Sequence, residues 1–190
     1  TTWALVGIFW IGSPVGRRCA VQYRGDVAII SQDGLMPLSQ ALIASRITTA
    51  VAFTNKIQNA VSDAVTLYGS NFGWQVIPFS GENMLILNVP ISTGNQQQYV
   101  MNTITGAWCR FKGWAANCFA LFGNELYFGG ATSVSKAWQN HSDAGTNINA
   151  EALQAFNYFN DPDSLKEFTL ARPLLAVSNS SGFFYGLNVD

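Results

Sequence analysis

The chain has 190 residues, 48 % of them hydrophobic, which is enough for one domain with a substantial core. Its ten basic and eleven acidic residues leave a net charge of −1, which argues against a strongly basic nucleic-acid-binding domain. A single His and three Cys without a CxxC pair argue against most zinc sites and against Cys/His or Ser/His catalysis.

Charged residues are scarce and aromatic residues are frequent. Only 11 % of the chain is charged, against roughly 25 % in ordinary soluble domains. Six Trp, six Tyr and thirteen Phe are typical of β-rich domains, whose strands favour aromatic side chains. The same composition is typical of a subunit that buries surface against neighbouring copies. The two interpretations are compatible.

The first part of the chain, about residues 3–34, has the pattern of an antiparallel β-meander. Strands are predicted at 4–11, 19–23 and 26–31, separated by glycine-containing turns and closed by a turn at 32–34. The apolar run at 4–11 is too short for a membrane-spanning helix, which needs about 20 residues. No membrane span is therefore predicted.

A helical insertion is predicted over about residues 38–68. Apolar residues recur every three or four positions from about 54 to 68, which predicts a helix. Thr54 or Asn55 is the expected N-cap, and Gly69 the expected residue after its C-terminal end. A short first helix is predicted from Leu38, Ala41, Leu42 and Ser45.

The segment 74–112 predicts a second meander of four strands. The strands are expected at 74–79, 84–89, 99–102 and 107–111, with a polar loop at 92–97. The run at 84–89 is almost entirely apolar, which is typical of a strand buried on both faces. Four strands in about forty residues match the size of one β-propeller blade.

The segment 118–138 predicts a third meander, of three strands. They are predicted at 118–122, 125–129 and 133–138, followed by a polar loop at 139–150. The pattern at 150–159 fits either helix or strand. A strand pair broken by Pro173 is predicted at 166–178, and a last strand at 182–189. The predicted fold class is mainly β, with blade-like antiparallel meanders and one inserted helix, in a fragment of a longer protein.

No pattern predicts catalysis, a metal or a cofactor. The chain has no hydrolase elbow, P-loop or dinucleotide-binding glycine motif. His141 beside Ser142 and Asp143 does not make a triad, which needs convergence in space. Oxygen-rich stretches at 143–149 and 160–163 offer the ligands that calcium takes but lack the EF-hand pattern, so the preferred interpretation is a solvated loop, with a calcium site as the alternative.

Paired carboxylates are the remaining enzymatic candidates, because many propellers are glycosidases. Most of these residues fall at turns, where Asp stabilises the bend locally. The candidates are Asp26, Asp33, Glu82, Glu125, Asp143 and Glu151.

Only two pairs of basic residues are close in sequence. Arg17 with Arg18, and Arg110 with Lys112, are candidates for contact with DNA phosphates in a channel. A ring of copies would multiply these few charges. The alternative is that they are strand-end charges that keep sheet edges soluble.

One sequence resemblance is more specific than these motifs. The segments that carry it in the second half of the chain are 99–103, 106–111, Gly113 with Trp114, 117–119 and 126–130. Upstream lie 70–74, directly after the helix, and 33–38. Together these segments resemble the tail nozzle (tail tubular or tail hub) proteins of short-tailed bacteriophages, and the related packaged-DNA stabilisation proteins. The likeness is strongest over residues 70–138.

The resemblance implies a virion structural protein and not an enzyme. Such proteins contain propeller-like β-domains and form a ring at the end of the tail, through which the genome leaves. The implied partners are copies of the chain, other tail or adaptor proteins and DNA in transit. The implied location is the virion, after assembly in the bacterial cytoplasm. Unpaired cysteines agree with a reducing compartment.

Two other functions compete with this one. A glycan- or receptor-binding propeller at the tail tip would use exposed aromatic residues, such as Phe183, Phe184 and Tyr185, to stack on sugars. A glycosidase would need a carboxylate pair at hydrolase spacing inside a cleft.

Overall fold

The computed structural model describes residues 11–43, 51–139, 142–143, 145–153, 163–167, 169–170, 172 and 174. The chain divides into two units, Thr1–Asn147 and Ile148–Asp190. The described residues are mainly antiparallel β-structure with one main helix, which confirms the predicted class. The described part of the second unit carries neither helix nor strand.

The first sheet is a three-stranded meander in the order β1-β2-β3. Its strands are β1 (Ala20–Tyr23), β2 (Asp26–Ser31) and β3 (Gly34–Pro37), all antiparallel. Arg24 and Gly25 form the β1–β2 turn with φ of 50° and 77°, the left-handed pair that a two-residue hairpin requires. The strand predicted at 4–11 lies outside the described residues, apart from Ile11. β3 was not predicted.

Two α-helices follow, α1 (Leu38–Ile43) and α2 (Gln58–Tyr68). A single 3-10 turn at Asn55–Ile57 precedes α2, so the predicted helix is confirmed. The predicted N-cap is wrong, because buried Thr54 instead accepts a hydrogen bond from the Leu35 backbone N–H at 3.1 Å.

The predicted role of Gly69 is also wrong. Its φ of −57° is right-handed, so no left-handed residue ends α2. Glycine is needed there for close approach, because a Cβ would lie 2.5 Å from the Val65 carbonyl oxygen.

The second sheet is a four-stranded antiparallel meander, as predicted. It consists of β4 (Gln75–Phe79), β5 (Met84–Ser92), β6 (Asn95–Asn102) and β7 (Trp108–Lys112), in that order. The loop predicted at 92–97 is wrong, because Gly94 with φ of 75° allows a tight turn and β6 begins at Asn95. The polar residues Gln96 and Gln97 suggested a loop, but both lie in β6, where Gln96 is buried.

The third sheet contains β8 (Cys118–Phe122), β9 (Glu125–Gly129) and β10 (Val134–Lys136), in the order β10-β9-β8. These three strands were predicted. The loop predicted at 139–150 contains a small hairpin, β11 (Ser142–Asp143) paired with β12 (Thr146–Asn147). Gly145 with φ of 88° supplies its turn.

The remaining predicted strands are not supported by the described residues. Those at 166–167, 169–170, 172 and 174 are in no strand, so the strand pair predicted over 166–178 is not found at these positions. The strand predicted at 182–189 lies outside the described residues, and 150–153 carry no regular structure.

Strands β4, β5 and β6 of the central sheet are buried on both faces. Leu85, Leu87 and Val89 alternate along β5 and belong to the core shared with the first sheet and α2. Ile86 points the other way, into the core shared with the third sheet. These four side chains are fully buried. The three meanders therefore pack face to face in chain order.

A row of amide side chains crosses the central sheet. Gln75, Asn88 and Gln98 are direct neighbours across β4, β5 and β6, on the face toward the third sheet. We call these three residues the amide row. Gln98 Nε2 donates to Asn88 Oδ1 at 2.9 Å. All three residues are buried, so their amide groups need partners.

The amide row holds the segment that leads into the third sheet. Asn88 Nδ2 donates to the Gly73 and Ala116 carbonyls, both at 2.8 Å, and Gln98 Nε2 donates to the Trp114 carbonyl at 3.1 Å. Backbone carbonyls between β7 and β8 have no neighbouring strand to pair with, and the amide row supplies their hydrogen-bond donors instead.

The beginnings of the three meanders lie side by side. Arg18, just before β1, forms a parallel bridge with Gln75 at the start of β4. The Gln75 side chain in turn pairs with the Phe119 backbone in β8, donating to its carbonyl and accepting from its N–H, both at 2.8 Å. The first strand of each meander therefore contacts the first strand of the next.

The described helices do not reach the length and apolar character that a membrane crossing would require.

Asn88→Leu tests the amide row. The change leaves the Gly73 and Ala116 carbonyls buried without a donor, so we expect the free energy of unfolding to fall by about 2–4 kcal/mol. Urea denaturation measures this loss. Asn95→Leu is the matched control, because Asn95 is exposed in the same hairpin, and we expect a change within about 0.5 kcal/mol. Equal effects of the two variants would contradict the assigned role.

Candidate nucleic-acid interface

Arg17 and Arg18 lie in the loop that leads into β1. This loop packs closely on Trp74, since a Cβ on Gly16 would lie 2.6 Å from the Trp74 Cβ. Gly16 also has φ of 77°, so both its conformation and its space require glycine. The packing fixes the backbone from which the two arginines project.

The two arginines differ in their surroundings. Arg18 is half-buried, and its guanidinium donates to the Asn117 carbonyl at 3.0 Å. The same group lies 5.5 Å from the ring centroid of Phe72, at cation–π distance. Arg17 is exposed. Arg18 is thus a fixed charge, whereas Arg17 faces solvent.

An open cleft of about 320 Å³ lies beside them. The charged residues that line the cleft are Arg17 and Arg18, and none of the lining residues is acidic. The lining residues are Gly16, Arg17, Arg18, Gly69, Ser70, Asn71, Phe72, Gly73 and Trp74.

The far wall of the cleft is the segment between α2 and β4. Asn71 Nδ2 donates to the carbonyls of Pro90 and Ile91, at 3.0 and 2.9 Å. Trp74 Nε1 donates to the Tyr68 carbonyl at 2.9 Å, and Trp74 is fully buried. These bonds leave Phe72 on the surface, with 67 % of its area exposed.

Arg110 and Lys112 lie on β7, at the opposite edge of the central sheet. Arg110 is directly opposite Tyr99, and Lys112 is opposite Gln97, so both share the sheet face that packs on α2. Burial raises the pKa of Tyr99, and the charge of Arg110 opposes that shift.

The structure therefore separates the two predicted basic pairs. Arg18 bridges to β4 at one edge of the central sheet, and β7 is at the other edge, three strand spacings or about 14 Å from β4 at 4.8 Å per strand. The pairs form two separate positive regions and no single four-residue site. Sequence reasoning did not place Phe72 and Asn117 beside Arg18. Gly69 and Gly73 flank residues 70–72, and this pattern is the feature of the sequence that could have predicted a tight, exposed bend there.

Two candidate carboxylates have local structural partners. The Ser39 hydroxyl donates to Asp26 at 2.6 Å and lowers the pKa of that carboxyl group. The Lys136 ammonium, with a smaller contribution from the Tyr127 hydroxyl, lowers the pKa of Glu125. A glycosidase acid needs a raised pKa, so both shifts run in the opposite direction.

Metal and thiol chemistry gain no support from the described residues. Within the described ranges, no group of three or more His, Cys, Asp or Glu side chains is placed to hold a metal ion. Cys19, Cys109 and Cys118 are free thiols, and burial raises the pKa of Cys109. His141 lies outside the described residues.

Comparison of the chain with protein-family models, with curated proteins and with solved structures found no match.

Substituting each arginine in turn separates their roles. Arg18→Ala removes the donor to the Asn117 carbonyl and the contact with Phe72, so we expect a loss of about 1 kcal/mol in the free energy of unfolding. Arg17→Ala should change it by less than about 0.5 kcal/mol, because Arg17 is exposed. Urea denaturation of the two variants measures the difference. A larger loss for Arg17→Ala would contradict the assigned contacts.

Lys136→Met tests the pKa of Glu125. Without the ammonium group, we expect the Glu125 pKa to rise toward its ordinary value. Since the folded-state pKa is lowered, the contribution of this pair to stability is present above the unfolded-state pKa and is lost as pH falls through the folded-state pKa. NMR titration of the Glu125 side chain measures the shift. Lys112→Met, on another sheet, is the control and should leave the Glu125 pKa unchanged.

Proposed function

We propose that the chain is a structural component of the tail of a short-tailed bacteriophage. In this proposal it forms part of the ring-shaped nozzle or hub through which DNA leaves the particle. Its partners are copies of itself and neighbouring tail or adaptor proteins, and it has no enzymatic role. The proposal starts from the resemblance of residues 70–138 to tail nozzle proteins.

The stacking of the meanders is the observation that carries the proposal. Successive blades of a β-propeller pack face to face, with their first strands side by side around an axis. The three meanders of this chain follow that order, linked by the Arg18–Gln75 bridge and by the pairing of Gln75 with Phe119. This arrangement supports a propeller-like domain, to which further strands would have to be added.

The outer face of the third sheet supports assembly with other copies. Phe122 and Val134 lie on the face away from the central sheet, with 77 % and 75 % of their areas exposed. Tyr127 lies beside Phe122 on that face, with ring centroids 6.4 Å apart. The same face carries the Glu125–Lys136 ion pair, so it combines apolar and charged side chains, as subunit interfaces with a polar rim do.

The same aromatic pair favours one alternative function. The exposed ring of Phe122, with half-buried Tyr127 beside it, would also suit stacking on a sugar, as a glycan-binding domain at the tail tip requires. Binding of the chain to host surface glycans, lost in Phe122→Ala, would favour this alternative.

Quantitative mass spectrometry of purified, nuclease-treated phage particles from the source tests the proposed function. We expect peptides of this chain at a low copy number typical of a ring, with the major capsid protein as a high-copy reference. Peptides found only in the infected-cell lysate, and absent from particles, would refute it.

A further inference from the structure

We propose that the cleft beside Arg17 and Arg18 binds a backbone phosphate of DNA. Arg17 is the contacting residue, and Arg18 supplies a second positive charge from a fixed position. The choice of DNA as the source of the phosphate rests on the proposed function. The anionic chemistry of the ligand rests on the cleft itself.

The lining of the cleft carries a net positive charge. Both charged residues in its lining are cationic, and the lining contains no carboxylate. The C-terminal end of α2 lies at Gly69 in the same wall, where backbone carbonyls carry a partial charge of roughly −0.5. The two full positive charges of Arg17 and Arg18 exceed this partial negative charge by more than one unit. The net charge of the cleft is therefore positive and favours an anion.

The charge of Arg18 is held in a fixed position. The Asn117 carbonyl and the Phe72 ring hold its guanidinium, yet the bond to Asn117 occupies only one of its five N–H donors. A cation held in place loses less conformational entropy when it binds a ligand. Planar guanidinium groups also match the oxygens of a phosphate. The site is therefore partly preorganised.

The two regions of positive charge differ in the shape of the surface around them. Arg110 and Lys112 project from β7, the last strand of the central sheet, whereas Arg17 and Arg18 border an open cleft of about 320 Å³. A concave site surrounds a bound group on several sides and removes part of its water. The cleft is the better phosphate site, and Arg110 offers a control with the same charge at the other edge of the sheet.

Titration of the ¹⁵N-labelled chain, followed by NMR, tests the proposal. The probes are a short DNA duplex, inorganic phosphate and acetate, each at the same ionic strength. We expect the duplex and phosphate to shift the backbone amide signals of Arg17, Phe72 and Gly73, and acetate to shift them far less. Arg17→Ala should weaken binding of the duplex about tenfold, whereas Arg110→Ala should leave binding at the cleft unchanged.

Three results would overturn the proposal. Absence of shifts at the cleft under saturating duplex would show that no phosphate binds there. Equal shifts with acetate would favour a carboxylate of a protein partner as the natural occupant. Equal weakening by Arg17→Ala and Arg110→Ala would show general attraction between DNA and a charged surface. Because Arg17→Ala is expected to leave stability unchanged, loss of binding would not reflect unfolding.

The site and the proposed function fail separately. If the chain is found in phage particles but its cleft does not bind duplex or phosphate, only the site is refuted. If the cleft binds both probes but the chain is absent from particles, the tail function is refuted and an anion-binding cleft remains.

Discussion

The placement of the third sheet on the central sheet depends on the amide row. Apolar side chains of β5 bury both faces of the central sheet, but apolar contacts are not directional and do not fix where the third sheet lies on it. Gln75, Asn88 and Gln98 supply the direction. Their amide groups bond to backbone groups of Gly73, Trp114, Ala116 and Phe119, at distances from 2.8 to 3.1 Å.

The amide row also explains how the candidate site is formed. Asn88 bonds to Gly73 at the end of the cleft wall, and Arg18 bonds to Asn117 in the segment that the row holds. The sheet core and the cleft are therefore connected through these two hydrogen bonds, one buried and one half-buried. Exposed Arg17 is outside this network and is free to contact a ligand without altering the fold.

Much of the fold was predictable from local patterns. The apolar run of β5, the helical periodicity of α2 and the glycine turns between short strands each have one dominant physical cause. The errors occur where tertiary contacts override local chemistry. Gln96 suggests a loop by composition, but its hydrogen bond to Asn117, and those of neighbouring Gln98 to Asn88 and Trp114, keep this part of the chain in a strand. Thr54 suggests a helix cap, but Leu35 uses its hydroxyl group.

The candidate site was only partly predictable. The sequence identified Arg17 with Arg18, and Arg110 with Lys112, because adjacent charges are visible in any sequence. Their separation depends on strand order, which places β4 and β7 at opposite edges of one sheet. The contacts of Arg18 with Phe72 and Asn117 join residues far apart in the chain, and no local pattern encodes them.

Hydrogen exchange of the Phe119 backbone amide tests the central claim most directly. This N–H donates to the Gln75 side chain at 2.8 Å in a buried site. The account predicts that it exchanges as slowly as the amides of β5 and β6, through global unfolding. Exchange as fast as that of the exposed turn at Gly123 would show that the amide row does not hold the third sheet, and would contradict the account.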